Sequence, residues 1–231
     1  MASEIKYAEL EADRERLGRI DTVGRVAQVL RSRILQGDIP PGARLSEESI
    51  GHALDVSRNT LREAFRLLGH DGLVVREFNR GAFVRELTVE DLHDLALLRR
   101  IVECGAVREL HSAPAGAVDA VIAAADKGYA EARAGNWRAV AVADLEFHQA
   151  IGGLAGSSRV NDLMERTLTG YRLAFVVIPA PQELHEPYLE RNAAIARLIA
   201  AGEAVRAETE LHRYLLDAEA HLADAFTQHH H

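Results

Sequence analysis

RLSEESIGHALDVSRNTLREAFRLLGHDGLVVREFNRGAFV, residues 44–84, decides how this chain is read. Ser46 stands before Glu47, Glu48 and the apolar Ile50 and Leu54. A serine there can accept from unpaired amides, and acidic first-turn residues offset the positive end of a helix. Asp55 and Val56 interrupt the pattern, and Ser57 starts a second helix whose apolar positions Leu61, Phe65 and Leu68 share one face. The other face carries Arg58, Asn59, Thr60, Arg62 and Arg66. Gly69 and Asp71-Gly72 end that helix. Leu73-Val74-Val75 then reads as a strand, Asn79-Arg80-Gly81 as a turn and Ala82-Phe83-Val84 as the returning strand. Helix, turn, helix and hairpin in this order predict a winged helix-turn-helix, with one helix for the DNA major groove.

Working outward, Asp21 and Thr22 begin a helix to about Gln36 with Val23, Val26, Val29, Leu30 and Ile34 on its apolar side. Residues 1–19 form a charged extension, 20–86 the predicted DNA-binding domain, 87–225 a second domain and 226–231 a tail. His229 to His231 read as the remainder of an affinity tag. The net charge of −8 over 231 residues is unevenly spread. Residues 1–85 hold 14 Lys and Arg against 13 Asp and Glu, while residues 86–231 hold 13 against 22. The stretch 57–85 alone has six arginines against Glu63, Asp71 and Glu77. Basic charge is therefore densest where the phosphates should lie, and an acidic second domain should stay off them.

The segments GDIPPGARLSEESIGHALDVSRNTLREAFRLL (37–68) and GLVVREFNRGAFV (72–84) resemble the DNA-binding half of GntR-family transcription regulators. The resemblance rests on Pro40-Pro41-Gly42, Leu45-Ser46-Glu47, Val56-Ser57-Arg58, Leu61-Arg62-Glu63-Ala64 and Asn79-Arg80-Gly81. It implies DNA contacts from Arg58 and Arg62, and the expected interface comprises Arg44, Ser57, Arg58, Asn59, Thr60, Arg62, Asn79, Arg80 and Gly81. Many relatives carry Thr-Pro where this chain has Asn59-Thr60. Asparagine can pair with adenine through two hydrogen bonds, so the operator preference should differ.

Beyond the hairpin only helical periodicity is visible. Helices are expected at 89–111, 115–134, 136–155, 157–178, 186–201 and 203–225, the first opened by a Thr88–Asp91 capping arrangement. The fold class is mainly α: an N-terminal winged helix-turn-helix plus a C-terminal all-α antiparallel bundle. The single cysteine, Cys104, excludes an internal disulfide and reads as a small buried apolar residue. Segments too short to span a bilayer and a charged N-terminus point to the cytoplasm, with no membrane partner. His70, His93, His111 and His221 read as surface residues.

LRRIVECGAV (98–107), NWRAVAVADLEFHQAIGGLAGSSRV (136–160) and NAAIARLIAAGEAVRAETELHRYL (192–215) resemble the FCD ligand-binding domain of FadR-type GntR regulators. That resemblance implies a bundle around a cavity, often with a divalent metal on one Asp and three His, and a small carboxylate inducer. Asp144 and His148, four apart on one helix face, match two metal ligands; the positions of the other two are Asn192 and Tyr214. His212 lies two residues off the last position and should face elsewhere. Arg99 matches an arginine that the family often points into the cavity. It pairs either with an effector carboxylate or, on the surface, with Glu103 four residues on.

Three readings of the second domain follow. Arg99, Asp144, His148, Asn192 and Tyr214 hold an organic effector without metal; or zinc, nickel or manganese stays on Asp144, His148 and a displaced histidine; or the polar groups are a core network. The whole chain is expected to be a homodimeric regulator, a repressor released from a palindromic operator in double-stranded DNA by a small organic acid. A metal-dependent enzyme built on Asp144 and His148 is disfavoured, because nucleophile–base pairs and phosphate loops are missing from the sequence.

Overall fold

The computed structural model describes residues 22–229, and the extension expected at 1–19 lies outside them. The described residues divide into two compact units, one ending at Leu87 and the other starting at Thr88.

In the first unit α1 (Thr22–Leu35) buries Val26, Ala27, Leu30 and Ile34. Helix α2 spans Glu47–Leu54 and α3 spans Arg58–His70, packed on α1. Both start as their sequences dictate: Ser46 Oγ accepts from the Ser49 amide at 3.2 Å and Ser57 Oγ from the Thr60 amide at 3.1 Å. Between them Asp55 takes a left-handed φ of 52°, which lets the chain turn without a glycine. Leu61, Ala64, Phe65 and Leu68 bury one face of α3, leaving the arginine face in solvent. Arg31 of α1 pairs with Asp71 at the end of α3.

The wing consists of β2 (Val74–Glu77) and β3 (Gly81–Val84), paired antiparallel from Val74↔Val84 to Glu77↔Gly81. A two-residue strand, β1 (Arg44–Leu45), adds to the other side of β3, giving the order β1-β3-β2. This strand is too short to carry an alternating pattern, so the sequence reading passes over it.

The second unit is helical throughout its described residues. Helix α4 (Val89–Arg108) opens on a capping box in which Thr88 and Asp91 satisfy each other's backbone amides. It is followed by a 3-10 turn (Leu110–Ser112), α5 (Ala117–Arg133), α6 (Trp137–Gly153) and α7 (Ser158–Phe175). Next come a five-residue helix α8 (Pro181–His185), a 3-10 turn (Glu186–Tyr188), α9 (Leu189–Ala200) and α10 (Ala204–His229). Helix α5 lies on α6 and α9, and α10 lies along α4. Close approach is built in at Gly170, where a β-carbon would stand 2.8 Å from Leu95 Cδ1.

Two expectations are corrected. The connection expected after Pro181 is helix α8, because the proline sits at N1 where its missing N–H costs nothing. Helix α10 runs past 225 to His229, since Leu222, Ala223 and Phe226 continue its apolar face and are buried. Among the described residues no helix is long and apolar enough to cross a membrane.

Candidate functional site

The exposed face of α3 and the wing belong to the same unit, with β2 packed on α3. The side chains of Arg58 and Asn59 stand in solvent at the start of α3 and make no hydrogen bond or ion pair among the described residues. Ser57 and Thr60 are used structurally, their hydroxyls 2.8 Å apart within the cap. Arg62 Nε lies 3.0 Å from both carboxylate oxygens of Glu47 on α2, a contact that raises the guanidinium pKa. Arg44 lies across Gly81, whose added β-carbon would stand 3.7 Å from Arg44 Nε. Arg80 folds back onto Glu77, with its guanidinium 5.4 Å from the Phe83 ring centre. Asn79 occupies the left-handed region at φ 58°, as the turn requires. The expected interface residues thus lie in one unit, all of them exposed except the half-buried Thr60.

In the helical unit the structure brings Arg99, Asp144, His148, Asn192 and Tyr214 together and adds two residues, Glu103 and His185. Arg99 and Glu103 do form an i,i+4 pair, Nε to Oε1 at 2.7 Å, but it is buried rather than on the surface. The guanidinium also stacks 4.5 Å from the Tyr171 ring centre. Burial opposes both charges, yet each is held ionised: Glu103 raises the Arg99 pKa, while Arg99 and His148 bring the Glu103 carboxyl below its ordinary value.

His148 sits between two acids. Its Nδ1 is 2.6 Å from Glu103 Oε2, and its Nε2 is 3.2 Å from the Tyr214 hydroxyl. That hydroxyl donates to Asp144 Oδ1 at 3.1 Å, and Asn192 Nδ2 donates to the same oxygen at 2.9 Å. His185 Nδ1 approaches the other oxygen, Asp144 Oδ2, at 3.6 Å. Burial pushes the Asp144 carboxyl up, but His185, His148 and Asn192 outweigh it and hold the acid well below its usual range. Tyr214 moves the opposite way: burial and the neighbouring Asp144 keep its phenol protonated well above the ordinary value.

These residues do not fit a divalent metal. Asp144 Oδ1 and His148 Nε2, the atoms a shared cation would need, both engage the protonated Tyr214 hydroxyl, and Asn192 presents an N–H to Asp144. Among the described residues no group of three His, Cys, Asp or Glu is placed to hold a cation. Tyr214 and Asn192 place a phenol and an amide where zinc or nickel prefers imidazole. Three buried polar atoms have no hydrogen-bond partner among the described residues: Arg99 Nη2, His185 Nε2 and Asn192 Oδ1. A water-sized recess of about 10 Å³ is lined by Asp144, His185 and Asn192 with Leu189, Val140 and Gly128.

Sequence reasoning missed His185, which lies in the proline-rich connection that folds as α8. It missed Glu103 as a pocket member because helical spacing does not distinguish a buried pair from an exposed one. His221, expected on the surface, is half-buried, its Nδ1 3.2 Å from the Tyr188 hydroxyl. His212 is exposed, as its register predicts.

A winged helix-turn-helix with an exposed arginine face, followed by a helical unit, defines a class, the DNA-binding transcription regulators. Residues 22–84 match the family of bacterial regulatory proteins named gntR, and residues 94–217, more than half of the chain, match the FCD domain. The chain belongs to the GntR family with an FCD domain, a family of DNA-binding transcriptional regulators rather than enzymes. A solved GntR regulator from Rhodococcus sp. RHA1 is 41% identical, with a TM-score of 0.81 over 89% of this chain and 99% of that one. The transcriptional repressor RspR of Escherichia coli K12 is 31% identical over 38% of this chain. A D-xylose utilization operon repressor of Paenarthrobacter nicotinovorans is 33% identical over 41% of it. These alignments cover only 39% and 42% of the two relatives' own lengths.

Within the expected interface, a distinct operator preference is expected from Asn59, which stands where many relatives carry threonine. Replacing Asn59 with alanine should remove an adenine preference at one position of each half-site while affinity for other bases falls little. Sequences selected from a random DNA pool by the two proteins check this; identical selected motifs would reject the role.

Proposed function

We propose that this chain is a homodimeric repressor that reads a palindromic operator with α3 and leaves it when a small organic acid enters the metal-free polar cluster of the helical unit. The observation that carries this reading is the set of partnerless polar atoms on Arg99, His185 and Asn192 in an otherwise satisfied core. Buried polar groups normally find partners, and each exception calls for a reason. Glu103 holds one side of Arg99, and Nη2 remains to donate to an effector carboxylate. Asn192 Oδ1 and the Asp144 carboxylate favour a hydrogen-bond donor elsewhere on the same molecule. The names of the Escherichia and Paenarthrobacter relatives support repression over activation. An effector that prefers one arrangement of the helical unit shifts the population away from the DNA-bound one.

The test combines metal analysis of the purified chain with thermal unfolding against a panel of small carboxylates. The expected result is no stoichiometric zinc, nickel or manganese, and no change on chelation. One acid at a hundred times its Kd should stabilise the chain by about 2.7 kcal/mol, a rise of several degrees in Tm. A retained metal would return Asp144 and His148 to a coordination role. A flat response to every acid would leave the cluster as a core network.

A further inference from the structure

The side chain of Phe78 is 90% exposed at the tip of the wing. The chain has six phenylalanines. Phe65, Phe147 and Phe226 are buried, and Phe83 and Phe175 are partly covered. A sequence so sparing of aromatics spends one where it packs against nothing. Single exposed apolar residues are common, so exposure alone would not decide its role. Three further observations do.

First, the tip is held. The Arg80 amide donates to the Glu77 carbonyl at 3.2 Å, Asn79 takes φ 58° and Gly81 takes φ 110°. The β2–β3 ladder closes directly beneath, at Glu77↔Gly81. Phe78 is thus presented by a defined turn instead of a loose loop. Second, the tip carries a net positive charge: Arg76, Arg80 and Arg44, which lies across Gly81, stand against the single acid Glu77, which pairs with Arg80. Arg80 is laid back over Phe83 and onto Glu77, so its guanidinium is held away from the Phe78 ring's exposed face. Third, β2 packs on α3, so the wing travels with the helix that carries Arg58 and Arg62.

A phosphate backbone makes no use of an aromatic tip, and a protein partner would not call for an arginine collar on a unit already committed to DNA. A minor groove fits both features. Its negative potential draws arginine in, and apolar side chains inserted at a base step partly unstack it and bend the duplex. We propose that Phe78 enters the minor groove beside the major-groove half-site as an apolar wedge, selecting flexible pyrimidine–purine steps there. This rests on the operator-binding reading above.

The experiment uses the full chain and duplexes selected by it from a pool with a random core. Affinity is read by fluorescence anisotropy and bending by energy transfer between the duplex ends. Phe78→Ala should bind about tenfold more weakly, lose the bend and lose the preference for TA or CA steps in the flank. Phe78→Trp should keep all three, and Phe78→Lys should keep affinity at low salt yet lose the bend. Unfolding midpoints should be unchanged, since the ring packs on nothing. If Phe78→Ala binds within twofold of the wild type with the same bend and flanking preference, the wedge is rejected. If the wild-type chain selects no sequence at all, the operator-binding reading fails and the wedge with it.

Discussion

Replacing Glu103 with alanine should lower the unfolding midpoint of the chain by roughly 10 °C or more. The variant strands the Arg99 guanidinium in a buried site, where it keeps only the Tyr171 ring and loses its counter-charge. Removing one partner of a buried ion pair costs about 3–5 kcal/mol. It also takes the acceptor from His148 Nδ1. Replacing both members together, Arg99→Met with Glu103→Leu, should restore most of the loss, because a packed apolar pair needs no counter-charge. Thermal and urea unfolding of the three variants decides the matter. A fall of only a degree or two for Glu103→Ala would show that solvent reaches the pair.

The same acids set the pH response. Both Glu103 and Asp144 are held below their ordinary values of 4.5 and 3.8. A carboxyl depressed in the folded state binds its proton more readily when unfolded, so its contribution is complete above the ordinary value and fades as pH falls. Wild-type stability should therefore drop progressively below about pH 4.5, and the double variant should drop less steeply over the same range.

Arginine 58 carries the second large effect. Arg58→Ala should weaken binding to the selected duplex by about 10- to 100-fold and relax the sequence preference, the signature of a lost base contact. Arg62→Ala should weaken binding at least as much, because it also frees the Glu47 carboxylate that Arg62 now neutralises beside the expected interface. If Arg62 meets phosphate, the slope of affinity against salt falls by about one, with sequence preference intact. Anisotropy titrations at several salt concentrations separate the two roles. Arg58→Ala binding within a few-fold of wild type would remove Arg58 from the interface.

Much of this protein is written in short-range chemistry. Ser46, Ser57 and the Thr88–Asp91 box start their helices because a side-chain oxygen three residues upstream is all that an unpaired amide needs. The apolar face of α3 follows from Leu61, Phe65 and Leu68 at helical spacing, so its arginine face follows too. The spacing of Asp144 and His148 placed them together on α6, and the resemblance to the FCD domain placed Asn192 and Tyr214 at the same site. Other features have no local signature. Strand β1 exists only because β3 offers an edge to two residues. Helix α8 is too short to show a period, and its proline reads equally well as a break; only packing against α6 brings His185 to Asp144.

The sequence by itself determined the winged helix-turn-helix, the helical second unit and the basic face of the first. Each depends on caps, periodicity and charge within a few residues. Only the tertiary structure decided that Arg99 and Glu103 are buried, that Tyr214 takes the place between Asp144 and His148, and that His185 joins them. The burial of an ion pair depends on what covers it, and here the cover comes from helices far along the chain.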